Sequence, residues 1–154
     1  MKRSLIALAV LAMTTSSFAA TSGTLLLKGQ VGAVLSILVT PETIAATLPL
    51  DVSQTDTKVA SVNEKSNSST GYKVTISSAN LGNLKRTSGT ELFPYTLSYD
   101  GAAVDLSAAD VFSNPSAAAV NVDKDVAISY TGVPAENMVA GEYSDTVTFE
   151  IAAN

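Results

Sequence analysis

In the stretch Asn121-Val122-Asp123-Lys124-Asp125, three oxygen-bearing side chains stand at every second position, so an extended strand places Asn121, Asp123 and Asp125 on one face. Oxygen donors on a common face suit a hard cation, which takes about six to eight of them. Three fall short of that set, and a solvated turn around Lys124 accounts for them more simply. Asn67-Ser68-Ser69 has the form of a glycosylation acceptor, a triplet that also arises by chance. Nucleophilic serine needs an adjacent base, and general acid–base work most often uses histidine, which this chain lacks altogether. The carboxylates are dispersed through loops and polar strand faces. A pair brought together by folding, as in a glycosidase, stays open from sequence alone. The expectation is therefore no enzyme, no cofactor and no metal.

The features left to carry function are elements rather than side-chain constellations. Near the start stands Gly23-Thr24-Leu25-Leu26-Leu27-Lys28-Gly29-Gln30-Val31, whose odd positions put Leu25, Leu27, Gly29 and Val31 on one face of an extended strand. At the end stands Gly141-Glu142-Tyr143-Ser144-Asp145-Thr146-Val147-Thr148-Phe149-Glu150-Ile151, with Tyr143, Val147, Phe149 and Ile151 on one face. Each segment has one apolar and one polar face. A domain with an extra strand in front and a strand at its very end is able to lend and borrow strands.

Residues 1–19 read as a secretory signal peptide: Lys2 and Arg3 are followed by an apolar run from Leu5 to Met13 and a Ser17-Phe18-Ala19 cleavage site. The apolar run is short against the roughly 20 residues of a membrane span. Losing Lys2 and Arg3 leaves seven basic against fourteen acidic residues, a net charge of −7. That balance argues against nucleic acid and anionic lipid as partners. With no cysteine, the exported fold must be held by its apolar core alone.

Between the two ends no long helical period appears. Leu35, Ile37 and Val39 alternate up to Pro41, which should end a strand or mark an edge. A short strand is expected over residues 48–52, a weaker one over 57–63, and a polar loop over 64–70. Tyr72, Val74 and Ile76 mark a clear strand facing inward. Residues 80–90 are rich in turn formers. Phe93, Tyr95, Leu97 and Tyr99 alternate up to Asp100-Gly101, a strong hairpin signal. Residues 108–119 suggest a short helical turn or a loop, Val126, Ile128 and Tyr130 another strand, and residues 132–140 a loop. Many short strands with regular turns describe an all-β, immunoglobulin-like β-sandwich.

The segment from Gly23 to Val31 resembles the N-terminal extension of chaperone-usher pilus (fimbrial) subunits, in which a Gly-Thr start, an alternating apolar set and a central Lys-Gly recur. Gly71-Tyr72-Lys73-Val74-Thr75, Tyr95-Thr96-Leu97-Ser98-Tyr99-Asp100 and Gly141-Glu142-Tyr143-Ser144-Asp145-Thr146-Val147-Thr148 are similar to the spore coat U branch of that superfamily.

The resemblance implies an incomplete sandwich of the pilin type over residues 34–154, lacking its last strand, preceded by a donor-strand extension over residues 20–33. The groove so left is filled first by a periplasmic chaperone and then by the extension of the next subunit, a form of strand addition. Leu25, Leu27, Gly29 and Val31 would be the donor residues, Gly29 where the groove is shallow. Val147, Phe149 and Ile151 would line the groove and meet the chaperone. The implied partners are like subunits in a homopolymer, the chaperone and an outer-membrane usher, with no nucleic acid. The implied location is a cell-surface fimbrium reached through the periplasm, supporting adhesion or biofilm formation. Two departures stand out: Ser36 occupies the position of the family's first cysteine, and the chain ends Ile151-Ala152-Ala153-Asn154 without a tyrosine near its terminus. Other readings are a secreted non-fibrous coat or matrix protein, or a self-contained binding module in which residues 25–31 form the first strand of a complete sandwich.

Overall fold

The computed structural model describes residues 22–154, so the expected leader and the first two residues of the extension lie outside the described residues. Contacts divide the chain into Met1–Val31 and Gly32–Asn154. Described residues 22–31 enter no helix or strand and are exposed. No helix among the described residues is long and apolar enough to cross a membrane.

The second unit is all-β. Its strands in chain order are β1 (Leu35–Pro41), β2 (Gln54–Ser66), β3 (Tyr72–Ser78), β4 (Asn83–Arg86), β5 (Leu92–Pro94), β6 (Thr96–Tyr99), β7 (Ala102–Val104), β8 (Asp110–Asn114), β9 (Val120–Tyr130), β10 (Tyr143–Ser144) and β11 (Val147–Ala153). Single turns of 3-10 helix stand at Thr43–Ala46 and Ala135–Asn137.

All the pairings are antiparallel and form a five-stranded sheet, β1-β2-β9-β6-β7, and two three-stranded sheets, β11-β3-β8 and β10-β4-β5. The two small sheets share their connections, since β3 leads into β4 and β10 into β11. Across the break the amide of Ala79 donates to the carbonyl of Thr146 at 3.0 Å, so they act as halves of one interrupted layer. Aromatic edges join that layer to the large sheet. Tyr99 on β6 meets Phe112 on β8, and Phe93 on β5 meets Tyr130 on β9, each with ring centroids 5.3 Å apart in edge-on geometry. This is consistent with a β-sandwich.

Period-two alternation accounts for the inward faces. Tyr72, Val74 and Ile76 of β3 are buried, as are Val126, Ile128 and Tyr130 of β9. Asp100 and Gly101, with φ of +52° and +78°, make the expected two-residue hairpin between β6 and β7.

Other expectations need correction. The strand expected over residues 48–52 is absent; the chain there turns after the 3-10 helix, held by Val52 N–H donating to Pro49 O at 3.1 Å. The strand expected over residues 57–63 extends to Gln54 and Ser66, taking in the start of the expected polar loop. The turn-rich and Ala-rich stretches each contain a strand, β4 and β8. Phe93, Tyr95, Leu97 and Tyr99 are all buried, but the run is shared between β5 and β6 in different sheets. Pro94 lies on β5, an edge strand, where a residue without an amide proton is tolerated. The terminal run likewise divides at Asp145 into β10 and β11.

Candidate functional site

The first and last strands of the second unit face each other across an apolar groove. β1 pairs only with β2, and β11 pairs on one side only, with β3. The free edges of β1 and β11 approach with Cα atoms within 8 Å, yet no backbone hydrogen bond joins them. Val39 and Pro41 of β1 and Val147 and Phe149 of β11 form the walls of a cavity of about 280 Å³. Its floor is core, including Ala60, Leu97, Val126 and Ile128.

Both walls carry apolar side chains on their inner faces that burial leaves unfinished. Leu35 and Val39 are 41% and 37% exposed, although their parity matches that of half-buried Ile37. Val147, Phe149 and Ile151 are half-buried and pack against the core, with Thr148 and Glu150 outward. Phe149 lies 6.0 Å from Tyr99, centroid to centroid. By contrast, β3 buries Tyr72, Val74 and Ile76, and the second half of β9 buries Val126, Ile128 and Tyr130, each almost completely; on the same face of β9, Val120 is half-buried and Val122 is 41% exposed.

Polar clusters brace the two ends of the groove. At one end the Asp145 carboxylate accepts from Ser78 Oγ at 2.6 Å, Tyr95 Oη at 2.5 Å, and the amides of Asn80 and Thr146 at 2.9 and 2.8 Å. Burial, and then the bond to Asp145, push the Tyr95 phenol well above its ordinary range. Toward the other end Glu64, 2% exposed, projects inward from β2. Its carboxylate accepts from Tyr72 on β3 at 2.6 Å and from Tyr99 on β6, so one buried side chain ties the two layers together. Burial first, and the carboxylate second, raise the Tyr72 and Tyr99 phenols. No buried side-chain polar atom among the described residues lacks a partner.

The groove residues expected from sequence, Val147, Phe149 and Ile151, thus share one wall. Leu25, Leu27 and Val31 are 84%, 81% and 85% exposed, and open space surrounds the position a Cβ on Gly29 would take. Glu64 and Asp145 stand in no motif that marks them in the sequence. Glu64 continues the inward parity of Ala60 and Val62, a signal obscured by the polar residues that follow it.

The oxygen-bearing face of residues 121–125 is the outer face of a strand, not a turn. The Asn63 amide donates to Asn121 Oδ1 at 3.1 Å and Asp123 Oδ1 at 2.8 Å, while Lys58 pairs with Asp125 at 2.7 Å. Lys124 lies within β9, 3.3 Å from Asp100 and 5.4 Å above the Tyr99 ring. No group of acidic residues suited to a metal occurs among the described residues. Asn67, of the glycosylation triplet, donates through Nδ2 to Gly32 O and accepts from Val34 N–H, both at 2.7 Å, bonds that a glycan on that nitrogen would disturb.

No family model matches the chain, and no curated protein matches it.

Proposed function

We propose that this chain is a structural subunit of a bacterial surface fibre, an incomplete immunoglobulin-like sandwich of the pilin type whose groove receives the N-terminal extension of the next copy. The observation that carries this reading is the coexistence of two unmatched parts. One is a groove whose flanking strands leave their inner faces and backbone edges uncovered. The other is an alternating apolar segment, residues 25–31, that enters no strand and exposes its leucines. The same observation favours lending over an internal first strand.

A strand seated between two others needs about 9–10 Å between them, so β1 and β11, which approach within 8 Å, must part where they are closest; the added strand then supplies partners for both edges and covers the exposed inner faces. Burying Leu25, Leu27 and Val31 contributes about 5–9 kcal/mol, at about 1.5–3 for each side chain. The backbone ladder adds to this, giving a contact that is slow to open. Before assembly the groove needs a temporary occupant, the role proposed for a periplasmic chaperone, with an outer-membrane usher as the site of polymerisation.

The test is deletion of residues 20–31 from the exported protein, followed by recovery of the chaperone complex and electron microscopy of surface fibres. The expected result is an intact complex and no fibres. Fibres formed by the deleted chain, or loss of the complex through unfolding, would overturn the donor-strand assignment.

A further inference from the structure

Resting on the donor-strand reading, we infer that Lys28 of one copy stands outward and opposite Glu150 of the next, an ion pair that marks the register of insertion and favours it modestly, with the donor antiparallel to β11. The groove wall β11 and the segment 25–31 are each seven residues long. Each carries one charged residue, and each carries it in the middle: Glu150 is the fourth residue of Val147–Ala153, and Lys28 the fourth of residues 25–31. β1, the other wall, has no charge at all.

The parities agree. Glu150 points outward and is exposed, between half-buried Phe149 and Ile151. A strand that turns Leu25, Leu27, Gly29 and Val31 inward turns Lys28 outward, onto the same face as Glu150. Glu150 makes no salt bridge among the described residues. Lys73 on β3 stands opposite Ala152, diagonal to Glu150, and leaves the direct cross-strand position on the open side of β11 free.

Side-chain size selects the direction. With Lys28 opposite Glu150, an antiparallel donor sets Gly29 beside Phe149, Leu25 beside Ala153, Leu27 beside Ile151 and Val31 beside Val147. Each large residue then meets a smaller or comparable one, and the bulkiest side chain of the wall meets the glycine. The parallel alternative with the same centre sets Leu27 beside Phe149 and Val31 beside Ala153, crowding one end and leaving a gap at the other. Cores tolerate volume-balanced arrangements best.

The absence of native cysteine makes the register directly readable by cross-linking. Outward cysteines placed opposite each other in an antiparallel pair have Cα atoms within disulfide reach. Assembled, oxidised fibres of Lys28→Cys/Glu150→Cys should give a ladder of cross-linked multimers, and so should Leu26→Cys/Ala152→Cys. Leu26→Cys/Thr148→Cys should not. A ladder from that last pair in place of Leu26→Cys/Ala152→Cys overturns the direction. A ladder from Gln30→Cys/Glu150→Cys in place of Lys28→Cys/Glu150→Cys overturns the register. In either case extension-dependent assembly, and with it the donor-strand reading, still stands. Fibres that assemble without residues 20–31 overturn both. Charge reversal supplies the energetic counterpart: Lys28→Glu should slow assembly by about two- to fivefold, the scale of one exposed pair, and Glu150→Lys in the same chain should restore it. Equal slowing with and without the compensating change would mean that the pair plays no part in assembly.

Discussion

The phenol of Tyr72 donates to the carboxylate of Glu64 at 2.6 Å across the interior, joining β3 to β2 beside the end of the groove. Tyr99 donates to the other oxygen of the same carboxylate. Glu64→Ala removes the acceptor that two buried phenols share, and should cost at least about 2 kcal/mol, since each stranded donor costs about 1–3. Denaturant unfolding of the groove domain measures it. A change under about 0.5 kcal/mol would show that solvent reaches the phenols and replaces the carboxylate.

The raised phenols fix the sign of an alkaline effect. Tyr72, Tyr95 and Tyr99 hold their protons in the folded state above the ordinary tyrosine value of 10.0. Their contribution is fully present below that value and declines as pH rises past it, because the unfolded chain releases protons that the folded one keeps. Stability should therefore fall above about pH 10, by about 1.4 kcal/mol per pH unit for each tyrosine still protonated only in the fold. Phenolate absorbance from these residues should appear together with loss of the near-ultraviolet dichroism. Ionisation of every tyrosine near pH 10 in a folded domain would contradict the burial.

Phe149→Ala is expected to destabilise the domain by about 2–3 kcal/mol, below the roughly 3–5 of a fully enclosed phenylalanine, because Phe149 is only half-buried on the groove wall. Under the proposed function the same change should weaken the assembled contact further, since the donor completes its burial. Comparing unfolding of the chaperone-free domain with dissociation of preformed fibres separates the two effects.

Gly29→Leu should leave the domain's stability within about 0.5 kcal/mol, because open space surrounds that position. It should block or slow fibre growth, since a bulky side chain would then meet Phe149 inside the groove. Wild-type growth kinetics in the variant would remove Gly29 from the groove.

Asp145→Ala removes the acceptor that a tyrosine, a serine and two backbone amides now share, and should cost at least about 2 kcal/mol. Because Asp145 sits where the second layer breaks, hydrogen exchange should rise first at Asn80 and its neighbours. Uniform exchange across the domain would indicate that the break is held by other contacts.

How much of this was legible in the sequence varies along the chain. The inward faces of β3 and β11 follow from alternation, which is local. Alternation does not say which sheet a residue joins, so the run from Phe93 to Tyr99 concealed the handover from β5 to β6 at Tyr95. Residues 48–52 have strand-like composition, but Leu48 and Leu50 pack against the core from a turn. Glu64 was illegible for a related reason: a buried carboxylate is intelligible only with its phenols, and one of these lies 35 positions away in sequence. The groove wall Val147, Phe149 and Ile151 could be named from its pattern. That β1 and β11 approach without pairing is a property of the tertiary fold alone.

The remaining sheet margins are short: β5 and β7 have three residues each, β10 two and β8 five, against seven for β1 and β11. Short margins give little purchase for sideways growth. If the lent segment fits the groove, each copy has a valence of two, one outgoing and one incoming, and the contact is between unlike surfaces. Such a contact does not close on a pair; repeated, it makes a line with distinguishable ends. One end then always presents a vacant groove and the other an unlent segment, so the two ends differ in chemistry as well as in position.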